Sequence, residues 1–562
     1  MLEVDKMLVK CGDFSRIQWL MLLLFSLINL LSALHYYSQT IISFVPKYWC
    51  ADGLDADFEP PPKSSCLPLG ANVSSSAKCH SYNYQLFMGY QSFSSEMNWI
   101  CDNAWQLTLG QSMFFVGSVV GTLLLGFLAD ILGRVPIMIV ANLIAMLGNM
   151  LTIFSSNLTL FCTFRLIAGF ATDSNFLMMY ILGECSDFFL PLDCELNCFC
   201  LYTVMEYMRP SLRTIGLSIC IGVFYCIGSM SAPWIAVLMG SWRGYLLVTS
   251  LPLSLVPLFY FIVPESVQWL VSKQQYERAA RCLKRVAKIN GRQVEEREYE
   301  QFIEECKQRQ QTVQSAPNLL GLFKTPRLRR NTLILFFKSM VITLCYDAVS
   351  RNVQGLGISP FVMFSLSATT ILPACLLLIA LQDRIGRKAM ASMSLLISGI
   401  LISVTCIVLF AAISENNQTT TLLVTLSVVG RFGVTVAYNS GAQYATELIP
   451  TCVRGQGVAA VHVMGYAFTF FSAYILYTRT IFSPLPEIIL GVLSLLGACL
   501  CLLLPETLHR TLPASLEDGE NFGKNEHWYT FSFMEKRTQS VAKLAPVDAK
   551  SQANSIDSSM YM

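Results

Sequence analysis

Charge is scarce in this chain: Asp, Glu, Lys and Arg make up 14% of its 562 residues, the net charge is +2, and there are five His. So weak a balance offers nucleic acid or a strongly acidic partner nothing to hold. The polar segments contain no Walker-type glycine loop, no metal-ligand cluster and no pairing of nucleophile with base. Those absences argue against an enzyme, call for no cofactor or metal, and leave direct ATP drive without a site. No cleavable signal peptide is expected either; the first apolar run is long enough to span a membrane and should act as an internal signal anchor.

What is abundant is apolar sequence, 54% of the chain. That is too much for a soluble globule, and it places the protein in a lipid bilayer. Runs of roughly 20 apolar residues, the length of one helical crossing, begin near Trp19, Leu107, Pro136, Phe161, Thr214, Tyr245, Thr332, Phe361, Ala391, Leu422, Gly457 and Ile488. Twelve spans predict an all-α membrane protein with both termini on one side. Between Ser266 and Asn331 lie fourteen Lys and Arg, so this linker and both termini are expected in the cytosol. The expected divisions are an N-terminus at 1–18, a first half at 19–263, the linker at 264–331, a second half at 332–504 and a tail at 505–562. The tail, polar and without apolar periodicity, reads as mostly disordered. Within the linker, Ala279, Ala280, Leu283, Val286 and Ala287 share one side of a helix over Tyr276–Asn290.

The loop at 46–105 is then outside. It carries Cys50, Cys66, Cys79 and Cys101, enough for two disulfides of unspecified pairing, and the glycosylation acceptor Asn72. A second acceptor, Asn417, also falls outside, whereas Asn157 lies so close to the bilayer that it should go unused.

Two halves announce themselves by repeated motifs. Asp130, Gly133 and Arg134 after the second span return as Asp383, Gly386 and Arg387 after the eighth. Glu206 precedes Arg213 by seven residues with Pro210 between; Glu447 precedes Arg454 by the same seven with Pro450 between. Pro264-Glu265-Ser266 and Pro505-Glu506-Thr507 close the halves alike. One copy could be a positive loop with an ordinary turn, but paired copies at matching loops suit gating charges that hold and release the halves.

With these loops the chain resembles the major facilitator superfamily. The four-cysteine loop, Phe114-Phe115-Val116-Gly117, Pro264-Glu265-Ser266-Val267-Gln268-Trp269-Leu270 and Leu504 to Pro513 are similar to its organic cation, anion and zwitterion transporter family. Insect carcinine and organic cation transporter-like members look nearest in wording. The resemblance covers Phe14 to Pro513 and implies alternating-access transport of a small organic cation or zwitterion, resembling carnitine or carcinine, across the plasma membrane. An organic anion or sugar facilitator, or a non-transporting interaction protein, is the alternative.

A solute in this fold binds between the halves, where intramembrane polar groups become candidates. His35, Tyr36, Asp173, Lys338, Tyr346, Asp347 and Arg431 qualify. Each has a plainer reading, in which Asp347 pairs with Arg351 one turn on, His35 is a satisfied core histidine, and Arg431, like Arg165, is structural. The eleventh span carries His462 to Tyr466 where cation-handling relatives often carry Asp and anion-handling ones Arg. No sodium-site signature is visible, so ion coupling is unassigned.

One stretch breaks the pattern. Glu184, Asp187, Pro191, Asp193 and Glu195 interrupt the fourth span, and 183–204 reads as an insertion. Gly183-Glu184 can be encoded by GGTGAG and Thr203-Val204 by ACAGTN, which are donor-like and acceptor-like, so an unspliced in-frame intron is the hypothesis, tested by sequencing transcripts across the junction. A genuine loop is the alternative.

Overall fold

A computed structural model describes residues 3–12, 15–52, 66, 79, 81–172, 220–311, 319–411, 417–508, 510–524, 526, 527 and 529–532. Asn72, Asp173, Glu206, Arg213 and the segment 183–204 lie outside the described residues.

Eleven described helices are long and apolar enough to cross a bilayer, and the short apolar helix Leu158–Gly169 stands where the fourth span begins. The first is Arg16–Ile42, the second Cys101–Ala129, the third Arg134–Ile153, the fifth Gly222–Met239 and the sixth Trp242–Ile262. The seventh to twelfth are Pro326–Arg351, Pro360–Ile385, Arg387–Ala411, Asn417–Leu448, Thr451–Thr480 and Leu485–Leu502. Helices answer the bilayer's main constraint, since they satisfy their own backbone where no water is present. Large apolar side chains such as Leu238, Ile407, Phe410 and Val492 are exposed on the bundle's outer faces, as lipid contact requires. Between helices small residues allow close approach: a Cβ on Gly117 would collide with the Leu166 carbonyl, which is how the second span lies backbone to backbone against the fourth.

On one face, here called the loop face, Lys47–Cys50 pairs antiparallel with Tyr82–Gln85. The cysteines pair Cys50 with Cys79 and Cys66 with Cys101. Phe93 seats this loop on the bundle by packing among Trp99, Phe161 and Trp242. Glu96 accepts from Trp242 Nε1 (2.7 Å) and pairs with Arg243; burial opposes its ionisation, yet these donors hold its carboxyl below the usual range. Asn417 is exposed at the loop-face end of the tenth span. Asn157 instead caps Leu158–Gly169, accepting from the Leu160 amide at 2.9 Å.

The opposite, linker face is more ordered than its sequence suggests. Tyr276–Ile289 buries Ala279, Ala280, Leu283, Val286 and Ala287, the face the apolar spacing marks. A second helix, Glu296–Gln311, goes beyond the sequence reading; it buries Tyr299, Phe302 and Cys306, a sparse apolar stripe among twelve charged or amide side chains. The N-terminus also carries a helix, Glu3–Lys10, tied down by Lys10 to Glu298 (2.8 Å), while Asn290 accepts from the Ile17 amide and donates to the Gly12 carbonyl. The expectation of a mostly disordered tail is corrected for its described part: Leu516–Asn521 is a helix, and Glu520 accepts from the Arg327 and Leu328 amides, capping the seventh span from outside. A carboxylate at a helix N-terminus is favourable by charge and by hydrogen bonding. The signal lay in an N-cap Ser515 followed by Asp518 and not in apolar periodicity.

Candidate functional site

The repeated motifs form one construction used twice. Gly133 and Gly386 both sit at φ +105°, a conformation essentially reserved for glycine, directly before the third and ninth spans. Into each turn reaches the glutamate that closes the half: Glu265 accepts from the Arg134 and Val135 amides (3.0 and 3.3 Å), and Glu506 from the Arg387 amide (3.1 Å). These glutamates anchor the ends of the halves to the helix N-termini at their middles, a role the sequence pattern did not reveal.

In the second half the construction extends. Arg387 donates to Glu447 (2.8 Å) and to exposed Asp383 (2.9 Å), Glu447 also receives the Thr507 hydroxyl, and Arg454 donates to the Ile449 carbonyl (3.2 Å). Asp130 occupies the last turn of the helix Ala104–Leu132. Gly386→Ala is therefore expected to lower the melting temperature in detergent, since its Cβ would press on the Glu506 carboxylate and its backbone would be strained by about 1–3 kcal/mol. Gly240→Ala, also at positive φ (+67°) but with open space around the new Cβ, should cost less.

Toward the loop face, Asp347 holds the halves together. It is fully buried, and three side chains donate to it: Tyr36 of the first span (2.5 Å), Arg351 one turn on (2.8 Å) and Ser472 (2.6 Å). Arg351 crosses back to Thr40 (2.9 Å) and, with the Gln39 amide turned to satisfy both its ends, to Gln39 Oε1 (2.9 and 2.6 Å). It also lies over the rings of Tyr36 (5.4 Å) and Phe115 (5.1 Å). Gln39, Thr40 and Ser472 are members that the sequence does not mark; the Asp347–Arg351 pairing is the part that its spacing predicts.

Below this lock is a cavity of about 390 Å³, counting its open mouth, whose walls include Tyr36, Tyr225, Tyr346, Tyr438 and Tyr466. Asn29, Ser32 and Thr172 add polar atoms. Tyr346 stacks on Tyr438 at 4.4 Å, and Tyr466 on His462 at 5.6 Å. Three of the five tyrosines were not singled out beforehand, because a tyrosine in a span looks like packing until its neighbours in other spans are known.

The other candidates separate. His35 faces the first half's interior: Asn149 donates to Nδ1 (2.9 Å), which leaves Nε2–H for the Ala168 carbonyl (3.0 Å). Asn149 in turn accepts from buried Arg165 (2.6 Å). His35 is thus a satisfied core residue, and its expected place on the cavity wall is corrected; Tyr36, its neighbour, takes that place. Arg431 is buried behind Tyr346, donating to the Ser367 carbonyl (3.1 Å) and Tyr37 (3.4 Å). Lys338 lines a neighbouring cavity in the second half.

Comparison with known proteins agrees with this architecture. The model of the sugar (and other) transporter family matches residues 72–182 and 196–515. The chain is 27% identical over 506 residues to an organic cation transporter protein of Drosophila melanogaster, covering 88% of this chain and 86% of the relative. With solute carrier family 22 member 3 of Mus musculus it shares 29% over 465 residues, 82% and 78% of the two chains. Among solved structures, the inward-open xylose transporter XylE from E. coli superposes with a TM-score of 0.55 at 16% identity, covering 89% of this chain and 99% of that one. A second XylE structure, described as a major facilitator superfamily proton:xylose symporter, gives 0.52 at 16%, covering 88% and 98%. The likeness to XylE shows the major facilitator fold. Rather than an enzyme, this is a multi-pass membrane transporter, and the chain belongs to the sugar (and other) transporter family.

Proposed function

We propose that the chain carries small organic cations or zwitterions across the plasma membrane by alternating access, with the linker face cytosolic. The observation that carries this is the cavity walled by five tyrosines between the halves. Ring faces attract quaternary and protonated amines without needing a carboxylate, by about 0.5–2 kcal/mol each. Asp347, the described carboxylate at the cavity roof, is already engaged by three donors. The names of the relatives point the same way. The basic linker and the disulfide-bearing loop support the orientation, with Asn72 and Asn417 as sugar acceptors on the outer side. In this reading the charge network around Arg387 gates the cytosolic side, with Glu206 and Arg213 its counterparts in the first half.

Radiolabelled tetraethylammonium uptake into oocytes expressing the chain tests the proposal. Saturable uptake above water-injected cells, weakened in Tyr346→Ala by about tenfold in KM, is expected. Surface-expressed protein that moves glucose or p-aminohippurate instead, or nothing, would overturn it.

A further inference from the structure

Resting on that cation reading, we infer that the solute is a zwitterion with widely separated charges, whose carboxylate is held at a subsite built on Lys338 while its ammonium end lies among the tyrosines. Lys338 is 1% exposed and sits within the seventh span, where an ammonium group is costly unless compensated. Its Nζ donates to the Gly441 carbonyl at 2.5 Å and lies 5.6 Å from the centre of the Tyr444 ring. Among the described residues no carboxylate pairs with it. An ammonium has three N–H donors, and one carbonyl with one ring supplies no full counter-charge.

Lys338 lines a cavity of about 420 Å³, counting its open mouth, together with Ser339, Thr343, Tyr438, Gly441 and His462. Gly441 leaves space beside the ammonium: a Cβ there would stand 3.4 Å from Nζ, in contact with it, and 3.3 Å from Ile342. The hydroxyl of Thr343 and the His462 ring supply further polar atoms. A carboxylate entering this space would provide the missing charge and gain a charge-assisted hydrogen bond.

The two cavities adjoin. Tyr438 walls both, and His462 of one stacks on Tyr466 of the other. Along the seventh span Lys338 and Tyr346 are eight residues apart, a rise of about 12 Å. A ligand reaching both must therefore carry its charges several bonds apart, unlike an α-amino acid. A lysine that merely ties the seventh span to the tenth through Gly441 predicts no dependence on ligand length.

The test is uptake of tetraethylammonium against trimethylammonium carboxylates with one, three and five methylenes between the charges. Uptake should rise with the spacer, with the best carboxylate exceeding tetraethylammonium about tenfold. Lys338→Met should lower the carboxylate-to-tetraethylammonium ratio by about the same factor, and Lys338→Arg should restore part of it. Tetraethylammonium uptake with no carboxylate advantage at any spacing, or an unchanged ratio in Lys338→Met, overturns the inference and leaves the cation reading standing. Movement of neither class removes that reading and the inference with it. Should Lys338→Met fail to reach the surface, the spacer series on the unaltered chain decides alone.

Discussion

Asp347→Asn is expected to abolish most uptake and to lower the melting temperature of the purified protein. Asp347 and Arg351 are both buried, 0% and 6% exposed, and each is the other's counter-charge. Removing one partner of such a pair costs about 3–5 kcal/mol, because the remaining charge stays in a medium that cannot solvate it. The loss falls unevenly on the transport cycle. Tyr36 meets Asp347, and Thr40 and Gln39 meet Arg351, across the two halves, so any movement that parts the halves there must break them, whereas the Asp347–Arg351 contact lies within one helix. A shift of about 3 kcal/mol between two conformations changes their ratio more than a hundredfold, enough to strand the protein in one of them. Replacing both residues, as in Asp347→Asn with Arg351→Met, should restore the melting temperature, since no unpaired charge is left, and should not restore uptake, since the bridge between the halves is gone. Wild-type uptake by Asp347→Asn, at equal surface expression, would show that the lock is dispensable.

The history of that residue shows where sequence reading reaches its limit. The four-residue step from Asp347 to Arg351 is visible in any helical span, and so are the repeated Asp-x-x-Gly-Arg loops, because helix periodicity and duplication are local properties of the string. Tyr36, Gln39 and Thr40 join the lock only through the docking of one half on the other, and Ser472 through the packing of the eleventh span on the seventh; no local spacing encodes either. Glu265 and Glu506 illustrate a middle case. Their duplication was plain, but their partner is a helix N-terminus more than a hundred residues earlier in the chain. His35 shows the ambiguity from the other side: a polar side chain in a span suits a cavity wall and a satisfied core equally well in the sequence, and Asn149 with a backbone carbonyl satisfies it inside one half. In the tail and in Glu296–Gln311, polar composition hides order because the apolar contacts are few: Leu516 and Phe522 in the one, Tyr299, Phe302 and Cys306 in the other.

The second large effect is expected from replacing Gly183–Val204 with a single Val. Arg165 lies in the described start of the fourth span, buried against Asn149 and Thr152. Glu206 should stand at that span's other end, as Glu447 does in the tenth, where it receives Arg387. Arg165 and Glu206 are 41 residues apart, and the replacement removes 21 of them, leaving 20. Twenty residues of helix rise about 30 Å, one hydrocarbon core, whereas 41 would rise about twice that. The match to the family model breaks off at 182 and resumes at 196, within the same segment. The segment itself carries Glu184, Asp187, Asp193 and Glu195, and each charge placed in hydrocarbon costs about 2.5–3.5 kcal/mol even on the mildest scale. The shortened chain should therefore reach the surface in greater amount and, per surface molecule, take up tetraethylammonium at least about tenfold faster, one step of 1.4 kcal/mol in the gating equilibrium. Surface biotinylation alongside uptake separates the two gains. Equal uptake per surface molecule in both forms would mean that the fourth span accommodates the segment, and that the charge pairing seen at Glu447 forms in the first half despite it.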